Sequence, residues 1–213
     1  MKTIKVTGKA NLKVVPDQTK VSLTIKGFAK DYSEALAQSA RDIKVIKDTI
    51  SACGINRESL KTENFYVYEK TKTVKDIHGN NIEKQLGYDV THYMNFKFDN
   101  NNELLGLVLA ELSKLSINPR IQIGFTVKDQ ELYKAQMIEL AVKDAKRKAN
   151  VMANSAEVSL GEILQMDYSY QTINFDTDTY LSMDGVTVAR DVQSFDIDLT
   201  PEDMNLTDTI TIT

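Results

Sequence analysis

Any chemistry in this chain has to come from a short stock of groups. Its 213 residues include two histidines, His78 and His92, one cysteine, Cys53, and 30 carboxylates. A nucleophile of the Ser-His-Asp or Cys-His kind needs a base within hydrogen-bond reach and a third group to orient it. His78 falls in the polar turn KDIHGNN and His92 in an alternating segment, with no second His or Cys at metal-ligand spacing. There is no GxSxG, CxxC or HExxH, and no glycine loop that would cradle a phosphate. Cys53 precedes Gly54 at the end of a helical pattern, where a thiol is a small core residue rather than a nucleophile. Asp176-Thr177-Asp178 with Asp184-Gly185 has the acid density of a calcium loop. The glycine is misplaced and the closing bidentate Glu is missing, which excludes an EF-hand and leaves only a looser Ca²⁺ site as an alternative. No pair of carboxylates sits in an apolar setting that would raise a pKa. We therefore assign no catalytic residue, no metal ligand and no cofactor.

Side chains suited to recognition gather in one stretch. Phe65, Tyr66, Tyr68, Tyr88 and Tyr93 lie on two strand patterns, 60–74 and 86–98, separated by the Gly/Asn turn. Aromatics of this kind anchor interfaces. They also stabilise hairpins by pairing across strands, and that second role is the simpler one.

The elements that position these groups follow from periodicity. Residues 4–14 and 19–28 alternate around a Pro16-Asp17 turn and predict a hairpin, with Gly8 as a bulge or bend and Val21, Leu23 and Ile25 on the buried face. Asp31 or Ser33 opens a helix that Gly54 closes. A helix over 103–115, capped within Asn100–Asn102, is apolar on more than one face and must be covered on more than one side. Strands follow at 121–128, 160–170 and 206–213. Between 129 and 157 runs one long helix, capped by Asp129, with Leu132, Ala135, Ile138, Val142, Ala145, Ala149, Met152 and Ala156 as its apolar stripe. A stripe made mostly of alanine lets a helix lie close on a sheet or on a copy of itself. The order is ββαββαβαββ, an α+β fold of antiparallel sheet with helices on one face. Residues 171–203 are acidic and without period, and read as a loop or arm in a single domain spanning 1–213.

Composition narrows the class. At 42% hydrophobic and 26% charged the chain is an ordinary globular sequence, and no apolar run approaches the ~18 residues of a membrane helix. Residues 167–213 hold ten acids against Arg190 alone, a charge of −9 within a total of −4, which argues against nucleic acid as a partner. The first residues alternate like a strand rather than forming the continuous apolar core of a signal peptide. With no internal disulfide available, the sequence as written points to the cytoplasm; a removed leader would place it in the cell envelope or outside.

The ordered set Val6-x-Gly8, Pro16-Asp17, Gly54-Ile55, Leu60-Lys61-Thr62, Gly87-Tyr88, Phe125-x-Val127-x-Asp129, Ala141/Ala145/Ala149 and Leu160-Gly161 resembles the SIMPL domain family. That family includes bacterial periplasmic proteins, an outer-membrane-associated antigen and a mammalian protein that binds a Pelle-like kinase. The resemblance covers 3–170 and the final strand. It departs at Ser155-Ala156-Glu157, where relatives often carry glycine, and over 171–203. It implies no catalytic residues. It does imply homo-oligomers, some ring-like, and for bacterial members a link to oxidative or envelope stress. Three functions are thus in view. The first is a non-enzymatic, self-assembling protein with a stress-related or scaffolding role. The second is a module that binds a protein or small ligand through the aromatic hairpin 60–98. The third is a hydrolase-type enzyme that uses acidic residues.

Overall fold

The computed structural model of the chain describes residues 3–168, 173–177, 181–183 and 192–213. Among these residues it is α+β: three α-helices and two antiparallel sheets in two compact units. The elements are β1 (Val6–Val14), β2 (Gln18–Ala29), α1 (Tyr32–Ala52), β3 (Lys61–Lys75), β4 (Asn81–Asp99), α2 (Asn102–Ser113), β5 (Arg120–Thr126), α3 (Gln130–Ser155), β6 (Met166–Asp167), β7 (Leu181–Met183) and β8 (Met204–Ile212). One unit comprises Met1–Asp17, Thr126–Asp178 and Pro201–Thr213; the other comprises Gln18–Phe125 and Thr179–Thr200.

The second unit is built on a five-stranded sheet in the order β3-β4-β2-β5-β7. Strict alternation puts Val21, Leu23 and Ile25 of β2 on the buried face, opposite Phe96, Met94 and His92 of β4. Ile46 and Ile50 of α1 and Leu105, Leu109 and Leu112 of α2 close the core over that face. Full burial of each such side chain stabilises by about 1.5–3 kcal/mol. Asn101 caps α2, accepting from the Leu104 amide at 2.9 Å. The helix is covered on two sides, as its double apolar face requires. The core lies along one side. Along another, the Phe195 amide donates to the Gly106 carbonyl at 3.2 Å, while Phe195, Ile197 and Leu199 pack against the core cluster. Those three lie in the stretch read from sequence as a loop or arm.

In the first unit α3 crosses a three-stranded sheet, β1-β8-β6. Asp129 caps the helix, accepting from the Leu132 amide at 2.9 Å. The buried residues are Met137, Ala141, Ala145 and Ala153. They form an i,i+4 row, not the alternating stripe expected: Leu132, Ile138 and Met152 are 50%, 36% and 51% exposed. That row is selected by the strand beneath it. A Cβ on Gly8 would stand 2.0 Å from the Ala141 carbonyl oxygen and 2.6 Å from the Ala145 amide nitrogen. Glycine is therefore at this point because the helix backbone rests on β1. The β1 ladder runs from Val6↔Ile212 to Val14↔Met204 without the bulge that Gly8 suggested.

The predicted hairpin of the first two strands does not form: β1 pairs with β8, and β2 pairs with β4. The Pro16-Asp17 corner is bound elsewhere. The Asp17 amide donates to the Thr126 carbonyl at 3.1 Å, and its carboxylate accepts from the Lys128 amide at 2.8 Å. Among the described residues β1 has a ladder partner on one side, β8, and α3 answers main-chain groups of the strand. Asp144 accepts from the Lys9 amide at 2.9 Å, and the Lys148 ammonium donates to the Thr7 carbonyl at 2.9 Å. The Lys148 ammonium, the Lys9 amide and Arg147 together hold the Asp144 carboxyl well below the usual carboxylate range. Two smaller differences concern strands: 160–170 is strand only at Met166–Asp167 among the described residues, and β7 was not foreseen.

Gly8→Ala is expected to cost about 1–3 kcal/mol or more, because backbone on both sides must move. Gly27→Ala, whose Cβ would meet nothing within 4 Å, serves as the control. Urea denaturation measures both, and equal midpoints would remove the helix-on-strand contact. Asp144→Asn is expected to melt below the wild type at neutral pH. A carboxyl depressed in the folded state contributes stability that is present above its unfolded pKa of about 4 and is lost as pH falls. The gap in melting temperature should therefore close in acid, and a gap independent of pH would sink the assignment.

Candidate functional site

The five aromatics named as possible interface residues, Phe65, Tyr66, Tyr68, Tyr88 and Tyr93, lie on two faces of the hairpin. Tyr66 and Tyr68 are stacked, ring centroids 5.8 Å apart, and Tyr93 meets Tyr66 edge-on at 6.0 Å. Phe65 instead turns to His92, at 5.0 Å, and Tyr88 to Tyr32 at the start of α1, at 5.6 Å. Strand alternation is the cause: neighbours along a strand point to opposite faces. Tyr66, Tyr68 and Tyr93 thus form a patch on the face away from α1, with Tyr68 61% exposed.

His92 is buried between strand and helix. Its Nε2 lies 2.8 Å from the Thr62 hydroxyl and its Nδ1 3.5 Å from that of Ser39. Burial pushes its pKa below the ordinary histidine value. Ser39, Asp42 and His92 have the residue types of a hydrolytic triad and line one cavity, yet the geometry does not build one. The cavity measures about 20 Å³, room for one water. Asp42 accepts from Gln38 at 2.8 Å. In the other unit the buried Asp208 accepts from the Tyr168 hydroxyl at 2.8 Å and from the Thr209 amide at 2.7 Å. These buried carboxylates are satisfied structural groups. Cys53 is buried, and burial pushes its thiol up, away from the reactive thiolate. Among the described residues no group of three or more His, Cys, Asp or Glu is placed to hold a metal ion, and no helix is long and apolar enough to cross a membrane. The acid cluster considered for Ca²⁺ lies partly outside the described residues, at Asp178, Asp184 and Gly185.

The feature that sequence periodicity undersold is the length of the hairpin. β4 starts at Asn81, and β2 stops alongside Tyr88. Beyond that point, from Lys70↔Gly87 to Lys75↔Asn81, β3 and β4 pair only with each other. The result is a two-stranded ribbon about 20 Å long at ~3.4 Å per residue. Its root is Gly87, with φ of 151°, where a Cβ would stand 2.4 Å from the Ala29 carbonyl oxygen. At its tip the Asp76 carboxylate accepts from the amides of His78 at 2.8 Å and Asn80 at 2.9 Å, which fixes the turn. Asn-rich turn chemistry was visible in the sequence; the point where β2 lets go was not.

Below about pH 6.5 the wild type is expected to lose stability, since a histidine with a depressed folded pKa contributes stability that is present above its unfolded value and lost as pH falls through the folded one. His92→Ala should cost about 1–3 kcal/mol at pH 7.5 by leaving two hydroxyls without this partner, and should flatten the dependence between pH 7.5 and 5.5. Urea midpoints at the two pH values test this, and an unchanged slope in the variant would count against it.

A family model described as SIMPL, protein of unknown function (DUF541), matches residues 4–213. The uncharacterized protein YggE of Edwardsiella ictaluri (strain 93-146) is 24% identical over 162 residues. The match covers 76% of this chain and spans 65% of that relative's length.

Proposed function

The chain belongs to the SIMPL family, whose members are proteins of unknown function, and on that premise we propose that it works by assembling with copies of itself in a scaffolding role, not by catalysis. The observation that carries this is the ribbon at Lys70–Gly87. A lone two-stranded hairpin is marginally stable in water and normally needs a further strand or a packed face. Here β3 is the outermost strand of its sheet among the described residues, and an edge of 15 residues left unpaired among them is a template for another chain. A copy of the same protein is the partner that symmetry makes commonest. The satisfied state of Asp42 and Asp208 and the one-water cavity beside His92 favour assembly over hydrolysis.

The Tyr66/Tyr68/Tyr93 patch favours a second reading, a module that binds another protein, since exposed tyrosines at this density suit an interface anchor. The two separate by experiment. Light scattering and sedimentation velocity on the purified protein, over a hundredfold range of concentration, should find species larger than the monomer. A strict monomer throughout would overturn self-assembly. Replacing the three tyrosines by alanine should leave assembly through the ribbon intact, whereas loss of assembly in that variant would move the contact to the aromatic face.

A further inference from the structure

We propose that β3 of one copy pairs with β3 of a second across a two-fold axis at Tyr68, joining two sheets into one, and this contact rests on the self-assembly reading above. Among the described residues β3 ends its sheet. The bulge at Glu63 interrupts β3 itself, while the second irregularity, at Leu86, falls on β4. From Asn64 to Lys75 the outer edge of β3 is therefore unbroken. Such an edge offers main-chain donors and acceptors in a row, which an extended strand answers. An antiparallel strand from a copy is related to it by a two-fold axis perpendicular to the sheet. That axis keeps the same residues on each face, so one residue must lie on it, opposite itself.

Charges along the edge select that residue. Axes at Glu69 and Lys70 give the longest ladders, 64–74 and 65–75, and each sets a charge against its own copy. An axis at Thr71 sets Lys70 against Lys72, and an axis at Lys72 sets that lysine against itself. An axis at Tyr68 pairs 64–72 and brings no like charges together: Tyr68 meets Tyr68, Val67 meets Glu69, and Tyr66 meets Lys70, a cation beside an aromatic ring. The remaining axes free of that repulsion give shorter ladders, such as 64–70 about Val67 or 71–75 about Thr73. Lys72, already opposite Lys84 within its own hairpin, gains the neutral Asn64 of the copy rather than a third cation. Lys70, Thr71 and Lys72 belong to the ribbon that β2 does not back, and the copy supplies a third strand there. The ladder is about 30 Å long at ~3.4 Å per residue, which places it with the small, reversible interfaces under ~1,200 Å². Because the surface meets itself, the contact closes at two copies.

Charges placed on the axis test the contact, since a residue there meets its own copy. Tyr68 is 61% exposed, so Tyr68→Lys and Tyr68→Glu should keep the fold, which circular dichroism checks. The ladder's bonds are main-chain bonds, so cutting the tyrosines back to alanine leaves them in place, whereas a charge set against itself opposes them. In sedimentation velocity the wild type should form a dimer, and each charged variant alone should need at least tenfold more protein to do so. An equimolar mixture of the two should form a heterodimer at least as readily as the wild type dimerises. As a second measurement, Tyr68→Cys in a Cys53→Ala background should be trapped by diamide as a disulfide dimer, because Cα atoms directly opposite across a ladder lie ~4.5–5.5 Å apart, within bridging range. Glu69→Cys and Lys70→Cys should not be trapped. If the wild type assembles and the charged variants match it, or Glu69→Cys or Lys70→Cys is trapped faster than Tyr68→Cys, the axis at Tyr68 is overturned and self-assembly stands. If each charged variant is weakened and the mixture is no better, Tyr68 touches a copy without meeting itself, and the two-fold pairing is overturned. A wild type that is monomeric throughout overturns both.

Discussion

A helix can rest on a strand at backbone distance only where both give up their side chains. Gly8 and the Ala141/Ala145 pair meet that condition, and the first unit is arranged around the place where they meet. Closer approach increases the dispersion contact between helix and sheet, and any added carbon turns that gain into overlap. The same contact brings Asp144 and Lys148 within reach of the main chain of β1. A strand that would otherwise present bare amides and carbonyls at a sheet edge has two of them answered by a helix.

The second unit solves a different problem. Its core is conventional, with leucines, isoleucines and phenylalanines interleaved between one sheet face and two helices. Its edge is not. β3 and β4 continue past the last residue of β2, paired among the described residues only with each other, and they carry a lysine pair that opposes its own ladder. Local sequence rules agree along most of the chain and conflict here. Such conflicts concentrate where a surface answers to something other than the fold.

Much of this was legible in advance, for identifiable reasons. Period-two alternation named the buried face of β2, the asparagines and Asp129 named the caps, and the two-sided hydrophobicity of α2 required a second cover, which Phe195 supplies. Partners were harder. Alternation in residues 4–14 is the same whether the strand pairs with its neighbour in sequence or with the last strand of the chain, and the Pro16-Asp17 corner fits either route. The buried row of α3 was misplaced because alanine contributes to several faces of a helical wheel, and only Gly8 in a distant strand decides between them. As for the aromatic set, composition located it and strand parity divided it: Phe65 and Tyr66 are adjacent in sequence and on opposite faces in space.

Asp144 and Lys148 lie four residues apart on a helix, about 6 Å along its axis, and the groups they hold, on Lys9 and Thr7, lie two residues apart on a strand, a little under 7 Å. The two rulers agree over this one interval and drift apart beyond it. As the helix number rises the strand number falls, so the pegs also set direction: α3 runs antiparallel to β1. Sliding the helix by one residue would swing both side chains about 100° off the strand and put a larger residue over Gly8. Insertions and deletions should therefore be tolerated in the connections but not between residues 7 and 9 or between 141 and 148, where the spacing works as a vernier that fixes helix to sheet at one setting.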